Sequence, residues 1–264
     1  FSEKDDLIYD ATQLLELDRG TISDCIGEMV SDGRLIAFED NIYLPYLYYA
    51  EKRVSDKILK MNNLASFQAC TPPSIEELEK KTGYVYEKEQ REAILDVVRN
   101  RVMILTGGPG TGKTTTTKGM IEMLLAMRYS IALAAPTGKA AKRMSELTGH
   151  EAKTIHRLLD FNPQLGFAYN EYNYLPFDAI LVDEASMINI ILMDALMQAV
   201  NPEGKIIFIG DTDQLPCIGP GNVLKDMIAS GVIPVVKLDK IFRQAESSNI
   251  IVNAHRITDG YEMV

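Results

Sequence analysis

The residues Gly107, Gly108, Pro109, Gly110, Thr111, Gly112, Lys113, Thr114 and Thr115 satisfy the spacing Gly-x-x-x-x-Gly-Lys-Ser/Thr. Glycines let a short loop turn so that successive N–H groups point inward, and a helix starting in the loop adds its positive end. Such a loop is a cradle for phosphate. Lys113 is then the residue that reaches the outer phosphates, and Thr114 offers a hydroxyl to Mg2+. With Gly at about 7% of residues, chance yields this pattern in a chain of this length only about one time in a hundred. A merely glycine-rich turn also leaves Lys113 unexplained.

A second group lies downstream, where the apolar run Ile180, Leu181, Val182 ends in the adjacent carboxylates Asp183 and Glu184. Side chains alternate across a strand, so one carboxylate of such a pair can face a metal while its neighbour faces a water beside the terminal phosphate. Asp183 is the candidate for the metal shell and Glu184 the candidate general base. A third run, residues 206–209, ends in Gly210, Asp211, Thr212, Asp213 and Gln214, which brings polar groups to the same edge. Gln214 suits a sensor of the outer phosphate or a positioner of water, and its position alone equally suits an ordinary loop glutamine.

These groups need a scaffold that delivers several strand ends to one edge. Short apolar runs at 102–105, 131–135, 180–182, 206–209 and 235–238 alternate with helical patterns. This is the signature of strands buried on both faces of a parallel sheet, with ligands held outside their carboxyl ends. Ahead of them, residues 5–17 and 23–30 have helical periodicity, and 34–38 and 42–44 form a two-stranded ribbon, so the start of the chain reads as a winged-helix-like module. Its recognition-helix candidate carries Asp24, Glu28 and Asp32, which phosphate repels, so a structural or packing role is the preferred reading over DNA contact. A helical stretch at 51–64 leads to Thr71, Pro72, Pro73 and Ser74, the clearest linker. The expected division is a helical, winged-helix-like region over 1–70 and an α/β domain with a mostly parallel central sheet over 71–264.

The composition agrees. The chain has 264 residues, 46% hydrophobic and 24% charged, which excludes a disordered or low-complexity polymer. A net charge of −10 argues against a generally basic nucleic-acid coat but leaves room for a local basic strip. Three cysteines at wide spacing indicate neither a disulfide framework nor a zinc site, which suits a reducing, cytoplasmic setting. No apolar run approaches the roughly 18 residues of a membrane span, so no membrane partner is expected. A first residue other than Met, and an end directly after a helical pattern, are expected of a piece of a longer protein.

Taken together, residues 107–115, 183–187 and 210–216 resemble the helicase motifs of superfamily 1, and more narrowly those of the 5′-to-3′ RecD/TraA group. The stretches 135–143, 154–159 and 238–244 fit the same pattern, so the resemblance covers about residues 84–257. Residues 1–60 are similar, more weakly, to the helical segment preceding the motor in stand-alone RecD-like proteins, including 43–51.

The resemblance implies a RecA-like motor lobe that binds ATP with Mg2+. By position, Gln90 matches the glutamine that reads the adenine edge, an amide being able to donate and accept at once. Arg243 matches the arginine that approaches the terminal phosphate from the same lobe. Pro136, Thr137, Lys139, Lys142 and Arg143, with Thr154 and His156, match single-stranded DNA contacts; the three cations lie within two helical turns. The aromatic-rich stretch 160–177 falls where the family carries a β-hairpin that pins open the duplex fork, although packing on the main lobe suits it equally. The implied partners are single-stranded DNA and the duplex fork, the second motor lobe of the same parent chain, and repair or recombination proteins. Without that second lobe the expected properties are ATP binding, weak hydrolysis, weak binding of single strands and no unwinding. The competing readings are another P-loop ATPase, which needs a sensor arginine or lid where residues 210–214 stand, and a DNA-binding module that merely responds to nucleotide.

Overall fold

The computed structural model describes residues 1–64, 71–214 and 217–240. They divide into two compact units, the first ending at Asp56 and the second starting at Lys57.

The first unit holds β1 (Ser2–Glu3), α1 (Lys4–Leu15), α2 (Arg19–Ser31), β2 (Ile36–Phe38), β3 (Asn41–Tyr43) and the start of α3 (Pro45–Asn63). Its sheet has the antiparallel order β1-β3-β2. Ile8, Ile22, Ile26 and Ile42 form the buried core. Two helices start earlier than their apolar periodicity suggests. Asp18 caps α2 by accepting from the Thr21 N–H at 3.0 Å, and Pro45 begins α3, the position where a missing N–H costs nothing. The unit boundary falls inside α3, upstream of the 71–74 linker.

The second unit continues with α4 (Ile75–Thr82), α5 (Lys88–Arg99), β4 (Val102–Gly107), α6 (Lys113–Ala126), β5 (Ile131–Ala135), α7 (Gly138–Thr148), β6 (Ala152–Thr154) and the single turn α8 (Ile155–Leu158). A small hairpin follows, β7 (Phe161–Asn162) with β8 (Gly166–Phe167), then β9 (Ala179–Val182), α9 (Ile190–Ala199), β10 (Lys205–Gly210), α10 (Val223–Ala229) and β11 (Val235–Leu238). Six strands form one sheet in the order β11-β4-β10-β9-β5-β6, with every pairing parallel. All residues of β4, β9 and β10 are buried, as expected of central strands covered on both faces.

Two details of packing bear on the site. Ser74 and Glu77 form a reciprocal capping box that starts α4, so the last linker residue belongs to a helix end. Glu79 then pairs with Arg91 at 2.9 Å and accepts from the Tyr86 N–H at 2.8 Å, which fastens the segment ahead of α5. At the opposite end of the sheet, Lys205 is buried and its Nζ donates to the carbonyls of Val98 and Asn100, at 2.8 and 2.7 Å, at the negative end of α5. Burial pulls its pKa down to about 8.

Helices α5 and α6 approach closely at Gly119, where a Cβ would collide with the buried Ile94 side chain and come within 3.0 Å of the Tyr86 hydroxyl. Overpacking of this kind costs about 1–3 kcal/mol. Gly119→Val is therefore expected to lower the melting temperature by about 2–10 °C, a shift read directly by calorimetry.

Candidate active site

Strand β4 delivers the glycine loop and α6 leaves it. Gly110 and Gly112 take positive φ values of 77° and 86°, so the loop needs glycine there for its backbone. Gly107 needs it for space, since a Cβ would lie 2.7 Å from the Leu238 carbonyl oxygen and 2.8 Å from Thr111 Oγ1. Thr111 Oγ1 donates to the Gly108 carbonyl at 2.9 Å. Lys113 Nζ donates to the carbonyls of Gly107 and, at 3.0 Å, Gly108. The first turns of α6 are held by Thr116 and Thr117, whose hydroxyls donate to the carbonyls of Gly112 and Lys113, at 3.0 and 2.8 Å.

Next to β4 in the sheet is β10, and beyond it β9, so the Asp183–Glu184 pair and the Gly210–Asp211 turn arrive at the same edge as the loop. A cavity of about 730 Å³ opens there, lined by the loop from Gly108 to Thr115, by Asp183, Glu184 and Gln214, and by Gln90 at the start of α5. Thus Gln90, Gly108, Pro109, Gly110, Thr111, Gly112, Lys113, Thr114, Thr115, Asp183, Glu184 and Gln214 share one hollow. Arg243 lies outside the described residues.

Burial pushes the Asp183 carboxyl upward, against the hydrogen bond it accepts from the Glu184 N–H at 2.9 Å and the charges of Lys113 and Arg143. Glu184 is raised by burial and then by Asp183, while Lys113, Arg143 and a hydrogen bond from Gln214 pull it back. Lys113 is lowered by burial, with Asp211, Glu184 and Asp183 opposing. Glu184 also adopts a left-handed backbone, φ 52° and ψ 42°, uncommon for a residue with a Cβ. An adjoining pair of carboxylates, one of them on a strained backbone and within bonding reach of an amide, is the kind of arrangement found where chemistry is done.

Gln90 is the largest departure from expectation. A glutamine on a charged helix is ordinarily solvated, whereas this one is buried, 3% exposed. Its Oε1 accepts from the Glu87 N–H at 3.1 Å in the capping box of α5. Its Nε2 is buried with no hydrogen-bond partner. One end of the amide is thus spent on the helix and the other is offered as a donor to the cavity. A buried orphan donor is costly unless a ligand satisfies it, which fits the edge of a base. The oxygen donors Thr114 and Asp183 likewise fit Mg2+, which takes few protein ligands and keeps several waters. Among the described residues no cluster of three or more His, Cys, Asp or Glu side chains could hold another metal.

Sequence reasoning placed Asp211 at this edge but gave it no role of its own. It is buried, accepts from the Asp213 N–H at 3.0 Å, and contributes the foremost of the charges acting on Lys113. Its place at the end of an apolar strand, like that of Asp183, was the available signal.

The basic strip behaves differently from its linear spacing. Thr137 caps α7, accepting from the Ala140 N–H at 3.2 Å, and Pro136 precedes it at the end of β5. Lys139 and Lys142 are exposed, and neither lines the cavity; Arg143, exposed as well, does line it, together with Met144, Leu147 and Thr148. At the neighbouring edge strand, Thr154 caps α8 by accepting from the Arg157 N–H at 3.2 Å. His156 is exposed and stands against Phe161 and Phe167 at ring-centroid distances of 5.6 and 5.8 Å. These two phenylalanines pair across the hairpin of β7 and β8, whose turn Asn162 closes by accepting from the N–H groups of Gln164 and Leu165.

A wholly parallel sheet, a glycine loop at the exit of one strand and an acid pair at the exit of another define a P-loop nucleotide-binding lobe of the RecA-like kind. Residues 90–220 match the AAA_19 family model, described as an AAA domain. The chain is 38% identical over 84% of its length to an ATP-dependent RecD2 DNA helicase from Deinococcus radiodurans, and 36% identical over 84% to a RecBCD enzyme subunit RecD from Mycolicibacterium smegmatis. Over most of its length it is homologous to RecD and RecD2 helicases. It spans 30% of the length of the first relative and 44% of the second. The fold resembles a crystal structure of the Pif1 helicase from Candida albicans, with a TM-score of 0.53 at 21% identity, covering 67% of this chain and 45% of that one. Among the described residues no helix is long and apolar enough to cross a membrane.

Proposed function

We propose that this chain is the ATP-binding first motor lobe of an ATP-dependent DNA helicase that moves 5′ to 3′ along single-stranded DNA. The observation that carries the reading is the shared cavity in which Lys113 and its glycine loop, the acid pair of β9 and the orphan amide of Gln90 line one space. The loop N–H groups and Lys113 hold the phosphates, and Gln90 donates to the base edge. Thr114 and Asp183 hold Mg2+, which when bound offsets phosphate charge. Glu184 takes the proton of the attacking water. Burial, by raising its affinity for a proton, makes it a better base than a solvated carboxylate. Gln214 orients that carboxylate through its hydrogen bond, and Arg243, matched by sequence, approaches the terminal phosphate.

Single-stranded DNA runs along the exits of β5 and β6, past Pro136, Thr137, Lys139, Lys142, Thr154 and His156. The hydroxyls of Thr137 and Thr154 accept in their caps, so each keeps its proton to donate to a phosphate. The hairpin of β7 and β8 stands beside His156 at the end of this track, the position suited to a pin at a duplex fork. The second motor lobe of the parent protein completes the ATP site, and the setting is cytoplasmic DNA repair or recombination.

The DNA reading is tested by salt. If Lys139 and Lys142 touch phosphates, the affinity of the chain for an oligothymidine should fall with log salt, and Lys139→Ala should flatten the slope by about 0.7. An unchanged slope in Lys139→Ala and in Lys142→Ala would return the strip to ordinary surface. ATP hydrolysis indifferent to added single strands would favour a P-loop ATPase of another kind.

A further inference from the structure

Arg143 occupies a place that neither its spacing nor its expected role as a DNA contact accounts for. On α7, Arg143 and Leu147 are one helical turn apart, as are Met144 and Thr148, and these four residues line the cavity together. The buried side chains Ala141 and Met144 hold the helix against the sheet in this rotation. Lys142 sits 100° away around the helix and pairs with Glu146 at 3.9 Å, away from the cavity lining. The cavity is therefore lined by cations from two elements, Lys113 from the loop and Arg143 from α7, together with the carboxylates of Asp183 and Glu184, on which both charges act.

This matters for charge. A triphosphate entering beside Asp183 and Glu184 adds negative charge to a site that already holds two half-buried carboxylates, with the buried Asp211 also acting on Lys113. A lone ammonium is a compact point charge, whereas a guanidinium presents paired N–H donors that match the terminal phosphate oxygens and does not lose its proton on burial. We infer that Arg143 grips the terminal phosphate of the bound triphosphate from the α7 side, and so makes the site distinguish ATP from ADP. The inference rests on the ATP reading of the cavity. It is supported by the reach of the Arg143 charge, which draws the carboxyls of Asp183 and Glu184 downward and presses on Lys113.

Calorimetric titration of this chain with ATPγS and with ADP, in the presence of Mg2+, tests it. Arg143→Ala is expected to weaken ATPγS binding about tenfold or more while changing ADP binding less than about twofold, and Arg143→Lys to recover part of the loss. Retained ADP affinity shows that the variant is folded, which a structural role alone would not separate from the triphosphate effect. Wild-type binding of both nucleotides with an unchanged ATPγS-to-ADP ratio in Arg143→Ala overturns this inference alone. Equal weakening of the two nucleotides also overturns it, because the contact then lies away from the terminal phosphate. If the wild type binds neither nucleotide, the ATP reading itself fails and takes this inference with it.

Discussion

Glu184→Gln is expected to cut ATP turnover by about 10²- to 10⁴-fold, the usual contribution of a positioned general base, while ATP affinity stays within about twofold. The amide keeps the shape of the carboxylate and its bond with Gln214, but it cannot take a proton from water. Single-strand-stimulated hydrolysis by the full-length protein, measured beside nucleotide affinity, separates the two effects. Stimulated turnover that persists in the variant would remove Glu184 from the mechanism. The same substitution should stabilise the nucleotide-free protein. Burial and Asp183 raise the Glu184 carboxyl above its ordinary value, so the folded state binds this proton more tightly than the unfolded chain does. The ionised group then lowers stability at pH values above its folded pKa, and the penalty fades as pH falls below the unfolded value. Melting at pH 7 should therefore rise in Glu184→Gln, and the gap should close as the pH falls below the unfolded value.

Lys113→Ala should abolish triphosphate binding at ordinary concentrations. The ammonium is a largely desolvated cation with three carboxylates acting on it, Asp211 foremost. Removing it leaves an entering phosphate opposite those carboxylates with less to balance them. Losing one partner of a buried charge pair costs about 2–5 kcal/mol, so ATPγS affinity should drop by about 30-fold at the least. Calorimetry reads the effect, and circular dichroism confirms that the fold is intact. Affinity equal to the wild type would mean that the loop is not a phosphate site at all.

The loop and the acid pair were legible because each depends on neighbours in sequence. Glycine at 110 and 112 is demanded by the positive φ of the local turn, and Asp183 and Glu184 directly follow an apolar strand. Strands β4, β5, β9 and β10 were legible for a similar reason, since a run buried on both faces has no polar alternation to hide it, whereas β11, at the sheet edge, alternates exposed and buried residues. Short β6 and the capped helix α4 lacked that signal: three strand residues and a polar helix carry too little apolar pattern. Gln90 was singled out only through resemblance, and its burial was not legible at all, since that comes from the packing of α5 and the capping bond to Glu87.

What the amino-acid order determined, then, is the set of chemical groups and the strand ends that bear them, because covalent spacing and backbone conformation act over a few residues. Tertiary structure decided which groups meet. The order β11-β4-β10-β9-β5-β6 brings Asp211 and the acid pair to Lys113 from strands far apart in the chain. The packing of Ala141 and Met144 turns Arg143 toward the nucleotide cavity, leaving Lys139 and Lys142 outside it. A helix can rotate about its axis with no change in its own sequence spacing, and only contacts with distant residues select one rotation.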